Sequence, residues 1–222
     1  FKQLKKYANL KGVKLVGDLP FYLSFDSVDV WANPQYFMLD ENYKPSLVAG
    51  VPPDYFSSTG QLWGNPVYNW EEIRKTGFEF WKNRVDNARK FFDLVRIDHF
   101  RGLDRFWVVK YGDETAEKGW WVDGPKMDLF NAIGSHGIFA EDLGMIDDGV
   151  RNLLSQANLS GLKVLQFAFD SDENNLYLPW NISENSITYT GTHDNSTLVG
   201  YVKGLSKEEL EKQKAKIQKS LT

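Results

Sequence analysis

The chain has 222 residues and a net charge of −4, so it is long enough for one large domain and carries no electrostatic footprint for nucleic acid. It has no cysteine, which excludes disulfides and thiolate chemistry and fits a reducing compartment such as the cytoplasm, and no apolar run of membrane-spanning length. Eight tryptophans, ten tyrosines and fifteen phenylalanines suit a large core, but flat aromatic rings also stack on sugars, which favours a carbohydrate ligand.

The chain is predicted to open with a helix and a short buried strand. Apolar residues from Phe1 onward follow helical spacing with no capping residue ahead of them, as in a piece cut from a longer polypeptide. Gly12 ends this helix, and residues 13–16 predict a strand that runs into Gly17-Asp18-Leu19-Pro20.

Residues 51–68 are turn-rich and aromatic, with little periodicity. A connection of this length inside a compact domain is usually functional or disordered, and its aromatic content argues against disorder. We expect a binding loop in which Tyr55, Phe56 and Trp63 are platforms for a ligand. The alternative is a loop that only closes one end of the core.

A segment rich in charged residues follows a predicted amphipathic helix over residues 78–92. Residues 94–97 predict a buried strand, and Arg96 and Asp98 are spaced to share one face of it. An arginine beside a carboxylate keeps that carboxylate ionised, which makes Asp98 a candidate nucleophile. The alternative is a structural Arg–Asp bridge that orients a loop.

The rest of the chain alternates between helices and strands, after a Trp-rich stretch up to Gly124 that is predicted to be irregular. No part of the sequence has the turn signal of a β-hairpin. The predicted elements are a helix over 127–133, a strand at 138–140, a helix with Asp147 as its N-cap, strands at 162–169 and 187–190, and a closing helix with a Ser206–Glu209 capping box.

An acidic residue follows each of five predicted strands. These acids are Asp18, Asp98, Glu141, Asp170 and Asp194. Alternating helices and buried strands predict a parallel sheet, either doubly wound or closed into a barrel, and acids at the strand ends favour the barrel because its active site lies on that face. No glycine-rich phosphate turn follows these strands, which counts against a nucleotide-binding sheet. The expected fold is an α/β chain of the (β/α)8 TIM-barrel type, with residues 1–222 in one catalytic domain.

Carboxyl groups that converge without metal-type spacing suggest acid–base and nucleophilic work on a glycosidic bond. The rival is a metal site, but His99, His136 and His193 are scattered over separate loops. His99 and His193 each adjoin a candidate acid, where a neutral imidazole donates a hydrogen bond to a sugar hydroxyl. A histidine with a purely structural role remains the alternative at either position.

Three motifs, in this order, resemble the 4-alpha-glucanotransferases known as amylomaltases or disproportionating enzymes, which form glycoside hydrolase family 77 of the alpha-amylase clan. They are Arg96-Ile97-Asp98-His99-Phe100-Arg101-Gly102, Ala140-Glu141-Asp142-Leu143-Gly144 and Gly191-Thr192-His193-Asp194-Asn195. Residues 17–22, 29–32 and 50–66 also resemble this family, and the resemblance runs from about Gly12 to about Val202. Gly124-Pro125-Lys126 departs from it, because a second glycine is expected there.

The resemblance implies a role for each acid of the three motifs. Asp98 is the expected nucleophile that forms a β-glycosyl-enzyme, Glu141 the general acid and then base, and Asp194 the carboxylate that steadies the distorted sugar. The apolar setting of Glu141 is expected to raise its pKa toward the range of a proton donor.

The resemblance also implies the substrate contacts. The residues expected to bind substrate are Asp18, Asp54, Tyr55, Phe56, Trp63, Arg96, His99, His193 and Asn195. Of these, Asp54, Tyr55 and Trp63 are expected on the acceptor side. The implied substrates are maltooligosaccharides and other α-1,4-glucans, with no cofactor and no metal.

The implied reaction moves α-1,4-glucan segments between maltooligosaccharides by a retaining double displacement. An alpha-glucan hydrolase of the same clan, or a non-catalytic glycan-binding relative, is the alternative. Members of the family are considerably longer, and this chain resembles barrel strands three to seven. Residues 1–222 are therefore expected to be the central part of the catalytic domain and to form an incomplete barrel. We therefore expect the 222-residue chain alone to have little or no activity.

Overall fold

The computed structural model describes residues 1–54, 57–144, 146–169 and 172–220. The chain divides into two compact units, Phe1–Leu159 and Ser160–Thr222. The helices of the first unit are α1 (Lys2–Leu10), α2 (Val28–Ala32), α3 (Trp70–Lys75), α4 (Glu79–Phe91), α5 (Met127–Ile133) and α6 (Asp148–Gln156). Its strands are β1 (Val16–Leu19), β2 (Leu47–Val51), β3 (Gln61–Pro66), β4 (Leu94–Ile97), β5 (Arg105–Lys110), β6 (Trp120–Asp123) and β7 (Ile138–Ala140). The second unit contains β8 (Ser160–Val164), β9 (Ser186–Tyr189), α7 (Leu198–Gly204) and α8 (Lys207–Ser220).

Parallel strands separated by helices organise the first unit. β4 pairs in parallel with β1 on one side and with β7 on the other. In this register Leu19 lies opposite Ile97, and Ile97 lies opposite Ala140, so the three strands end at the same level. Val95 and Ile97 are 1% and 0% exposed, as expected for a strand covered on its inner face. The predicted strand at 94–97 and the helix before it are confirmed.

The second unit repeats the parallel arrangement on a smaller scale. β8 pairs in parallel with β9, from Gly161 opposite Ser186 to Val164 opposite Tyr189. At the start of α8, the backbone N–H of Ser206 donates to the Glu209 carboxylate at 2.8 Å, and the backbone N–H of Glu209 donates to Ser206 Oγ at 3.2 Å. These reciprocal bonds confirm the predicted capping box.

A four-stranded antiparallel sheet, in the order β3-β2-β5-β6, contradicts two predictions. The stretch up to Gly124 is not irregular, because β5 and β6 form a hairpin there, and residues 51–68 contain β3, which pairs with β2. Both hairpins are closed by long connections, residues 52–60 and 111–119, rather than by the two-residue turns that a sequence reveals. The absence of a short turn signal therefore did not exclude a hairpin.

Two predicted strand boundaries are also wrong. β1 begins at Val16 and not at residue 13, because β4 offers a partner only from Leu94 onward. β1 consequently includes Asp18, which the sequence pattern places just past the strand. β8 ends at Val164 and not at residue 169, because its pairing with β9 stops there and a 3-10 turn follows.

Aromatic rings form a large part of the core of the first unit. Phe21, Trp81 and Phe100 have no exposed surface, and the rings of Trp70 and Trp81 stack with their centroids 5.9 Å apart. Trp63 on β3 differs, since 39% of it is exposed. The buried rings belong to the core, whereas the exposed part of the Trp63 ring is open to a ligand.

Asp147 joins the start of α6 to two arginines. Its Oδ1 accepts a bond from the Val150 N–H at 3.2 Å, which confirms the predicted N-cap, and its Oδ2 accepts bonds from Arg101 at 3.3 Å and Arg105 at 2.9 Å. Arg101 is only 7% exposed. Removal of the Asp147 carboxylate would therefore leave the start of α6 without its cap and the buried Arg101 without this ion-pair partner.

We expect Asp147→Ala to lower the free energy of unfolding by about 2–4 kcal/mol, since the loss of a helix cap and of a buried ion-pair partner both destabilise. The matched control is Asp148→Ala, whose exposed pair with Arg151 should contribute less than about 0.5 kcal/mol. Urea unfolding of the two variants measures the difference. Equal losses in both would show that the contacts of Asp147 contribute no more than a surface pair.

Candidate active site

The candidate site is built on the ends of β1, β4 and β7. The Asp98 N–H donates to the Leu19 carbonyl at 3.1 Å, and the Glu141 N–H donates to the Ile97 carbonyl at 2.9 Å. These two bonds continue the parallel ladders by one residue. Asp98 and Glu141 therefore leave neighbouring strands at the same level.

Arg96 holds two carboxylates at this edge of the sheet. Its Nη1 lies 2.6 Å from Asp18 Oδ1, and its Nη2 lies 2.9 Å from Asp98 Oδ1. The Arg96 side chain is 12% exposed, against 50% for Asp18 and 40% for Asp98. Burial lowers the pKa of Arg96, but the bond to Asp18 and the charges of Asp98, Asp18 and Glu141 outweigh burial and raise it. The predicted pairing of Arg96 with Asp98 is confirmed.

Glu141 has the setting of a proton donor. Burial first, and the charge of Asp98 second, raise the pKa of its carboxyl to about 7. Its Oε2 accepts the His99 N–H at 2.8 Å and its Oε1 accepts the Leu143 N–H at 3.1 Å, and these bonds only partly offset the rise. The predicted increase in pKa is confirmed. Near neutral pH this group can both release and take up a proton.

His99 connects the carboxyl groups to an aromatic cluster. Burial first, and the charge of Arg101 second, lower the pKa of His99 to about 4, so its imidazole is neutral at neutral pH, as expected. The His99 ring lies 4.9 Å from the ring of Trp63 and 5.7 Å from that of Tyr22. Its backbone has φ +46°, a left-handed conformation that is costly for a residue with a side chain. This conformation accompanies the bond from the His99 N–H to Glu141.

The predicted aromatic loop reaches the site through Trp63. The Trp63 indole N–H donates to Gln61 Oε1 at 3.1 Å, and its ring lies 5.9 Å from that of Tyr22. Tyr22 is a neighbour of the site that sequence reasoning missed, although it lies in a motif that the resemblance includes. Asp54 accepts the Ser57 N–H at 2.9 Å within its own turn. Tyr55, Phe56 and Asp170 lie outside the described residues.

The second unit contains the remaining predicted residues, in the loop after β9. Asn195 Oδ1 accepts bonds from the backbone N–H of Thr192 at 2.9 Å and from Thr192 Oγ1 at 3.0 Å, which closes the loop between these two residues. The side chains of His193 and Asp194 are 73% and 72% exposed, and His193 Nε2 lies 3.5 Å from Asp194 Oδ1. His193, Asp194 and Asn195 are thus presented together on one loop.

The structure therefore brings the predicted residues together in two groups. The group in the first unit comprises Asp18, Trp63, Arg96, Asp98, His99 and Glu141. The group in the second unit comprises His193, Asp194 and Asn195. Within the described ranges, no cluster of three or more histidine, aspartate or glutamate side chains is placed to hold a metal ion. The helices of the same ranges are all too short or too polar to span a bilayer.

Comparisons with known proteins agree on one family. The model of glycoside hydrolase family 77, described as 4-alpha-glucanotransferase, matches residues 1–222. The 4-alpha-glucanotransferase of Clostridium butyricum is 49% identical over 96% of this chain and 45% of its own length. The chloroplastic/amyloplastic 4-alpha-glucanotransferase of Solanum tuberosum is 46% identical over 94% of this chain and 37% of its own length. The chain thus spans less than half of these relatives.

Solved structures support the same fold. The amylomaltase of Streptococcus agalactiae, in complex with acarbose, superposes with a TM-score of 0.90 at 41% identity, over 95% of this chain and 44% of that one. The amylomaltase of Corynebacterium glutamicum superposes with a TM-score of 0.79 at 21% identity, over 91% of this chain and 29% of that one, which bears on the fold alone. The predicted α/β fold, in which parallel strands alternate with helices as in part of a (β/α)8 barrel, is confirmed.

Proposed function

The chain belongs to glycoside hydrolase family 77, the 4-alpha-glucanotransferases, and on this premise we propose that it is the central part of a catalytic domain that transfers α-1,4-glucan segments between maltooligosaccharides. The observation that carries the proposal is the pair formed by Asp98 and Glu141. One carboxylate is bound to Arg96, and the other has its pKa raised to about 7. Two neighbouring carboxyls in such different settings are typical of an acid and a nucleophile.

The proposed reaction has two displacements. In the first, the Asp98 carboxylate attacks the anomeric carbon of the donor glucan, and Glu141 gives its proton to the glycosidic oxygen as that bond breaks. In the second, ionised Glu141 takes the proton from the 4-hydroxyl of an acceptor glucan, whose oxygen attacks the anomeric carbon and releases Asp98. Two inversions retain the α configuration. No cofactor takes part in either step.

The remaining predicted residues have supporting roles in this proposal. Asp194 steadies the distorted sugar, and the imidazoles of His99 and His193 donate hydrogen bonds to its hydroxyls. Asp18 holds Arg96 in place through the 2.6 Å contact. The other residues proposed to contact substrate are Asp18, Asp54, Tyr55, Phe56, Trp63, Arg96 and Asn195. Transfer exceeds hydrolysis when an acceptor held by the aromatic loop occupies the attacking position ahead of water.

Product analysis on maltotriose tests the proposal. The chain is assayed alone and in a chimera in which it replaces the segment that it matches in the Clostridium butyricum relative. A transferase yields glucose together with maltopentaose and longer glucans. Glucose and maltose alone would indicate a hydrolase, and binding of maltotriose without any product would indicate a glycan-binding relative; either result contradicts the proposal.

Trp63→Ala should weaken acceptor use more than donor cleavage, because Trp63 presents an exposed ring beside His99. The loss of one stacking ring is expected to raise the KM for a glucose acceptor about tenfold. The matched control is Leu62→Ala, since Leu62 precedes Trp63 on β3 and is also 39% exposed. The ratio of transfer to hydrolysis in the chimera is the measurement. An equal ratio in both variants would exclude Trp63 from the acceptor side.

A further inference from the structure

The loop that carries Asp194 rests on a buried glutamine that belongs to none of the motifs above. Gln166 lies in the 3-10 turn Leu165–Phe167, directly after β8, and is 7% exposed. Its Nε2 donates to the Ser196 carbonyl at 2.7 Å. We infer that Gln166 is a positioning residue that fixes the 191–196 loop and, through it, the carboxylate of Asp194. This inference rests on the proposed function.

Packing at the other end of the loop points to the same residue. A Cβ added to Gly191 would lie 2.5 Å from Gln166 Nε2 and 3.3 Å from the Ser196 carbonyl. A contact of 2.5 Å is too short for carbon and nitrogen, so a side chain at position 191 would displace the Gln166 amide. Gln166 therefore touches both ends of the loop, by packing at Gly191 and by a hydrogen bond at Ser196.

The interior of the loop is held by its own bonds. The Asn195 N–H donates to the Thr192 carbonyl at 3.1 Å, and the Asp194 N–H donates to Thr192 Oγ1 at 3.3 Å. The side chains of His193 and Asp194 are nevertheless mostly exposed, so packing does not fix them. The hydrogen-bonded backbone of the loop consequently sets where the Asp194 side chain begins, and Gln166 attaches that backbone to the end of β8.

A displaced carboxylate loses its effect on the transition state more than its effect on substrate binding. Misplacement by about 1 Å is enough to cost about 100-fold in rate. For Gln166→Leu in the chimera we expect kcat to fall by about 10–100-fold with little change in KM, because the interaction lost belongs to the transition state. The control is Gln156→Leu at the exposed end of α6, which should leave both constants unchanged.

Gln166→Glu supplies a pH readout that a purely structural role would not show. A protonated glutamic acid can donate to the Ser196 carbonyl, whereas an ionised one repels it. The ratio of variant to parent kcat should therefore be highest at low pH and should fall as the new carboxyl ionises. A ratio that does not depend on pH would contradict the positioning role.

Amide hydrogen exchange on the 222-residue chain tests the inference without any activity. Gln166→Leu should speed exchange at residues 192–195 at least tenfold while exchange in β8 stays as in the parent. Unchanged exchange in the loop, or an equal rise in β8, would overturn the inference. An inactive parent chimera counts against the proposed function alone, whereas an active chimera that tolerates Gln166→Leu counts against the positioning role alone.

Discussion

Asp98→Asn is expected to reduce glucan transfer by the chimera about 10,000-fold or more, the largest effect of any single substitution proposed for this chain. An amide cannot form the glycosyl-enzyme, because it lacks the negative charge that attacks the anomeric carbon. The bond from Arg96 Nη2, now 2.9 Å from Asp98 Oδ1, can still be made to the amide oxygen. The variant should therefore keep its fold and lose its chemistry, and initial rates on maltotriose measure that loss.

The control for this substitution is Asp128→Asn. Asp128 lies in the first turn of α5 and makes an exposed ion pair with Arg74, so the same chemical change there should leave the rate within about twofold of the parent. A second variant distinguishes loss of the nucleophile from distortion of the site. In Asp98→Gly, added azide should enter the space left by the carboxylate and give the β-glycosyl azide. Transfer by Asp98→Asn at more than about a tenth of the parental rate would exclude Asp98 as the nucleophile.

The sequence predicted those parts of the site whose structure is determined by residues close together in the chain. Leu94, Val95 and Ile97 form an apolar run too short for a helix, and the charged residues that follow or interrupt it must be paired. Arg96 and Asp98 form an ion pair with each other, as their spacing on one face of the strand predicts. The pKa of Glu141 was predictable for the same reason, since an acid after two apolar residues at the end of a buried strand is desolvated.

The parts that escaped prediction depend on partners distant in sequence. Nothing in Gln61–Pro66 marks a strand, because Gly64, Asn65 and Pro66 disfavour one, and only its pairing with β2 makes it extended. That pairing brings Trp63 beside His99, so the aromatic cluster could not be assembled from the sequence. Gln166 escaped for a related reason. An uncharged amide in an apolar run becomes informative only when its partner, Ser196, is known.

Activity of the chimera is expected to fall as the pH rises through about 7, because the first displacement needs a protonated Glu141. The direction of this pH dependence follows from the raised pKa of Glu141. Burial and the charge of Asp98 raise the pKa of Glu141, so the acid form is the majority form below pH 7 and is lost above it. The value of kcat/KM on maltotriose should decline about tenfold per pH unit on the alkaline side. A profile that stays flat from about pH 6 to about pH 9 would contradict this assignment.

Glu141→Gln should remove that alkaline decline and lower the rate on maltotriose by about 100- to 10,000-fold, the usual contribution of a general acid. The amide of this variant would keep one of the two acceptor contacts, to His99 or to Leu143, so the fold should persist.

A substrate whose leaving group needs no proton, such as a maltosyl fluoride, separates the two roles of Glu141. Formation of the glycosyl-enzyme from the fluoride should stay near the parental rate, while its transfer to a sugar acceptor stays slow. The exposed Glu41→Gln is the control and should behave as the parent with both substrates. Equal losses with maltotriose and with the fluoride would mean that Glu141 shapes the site without delivering the proton.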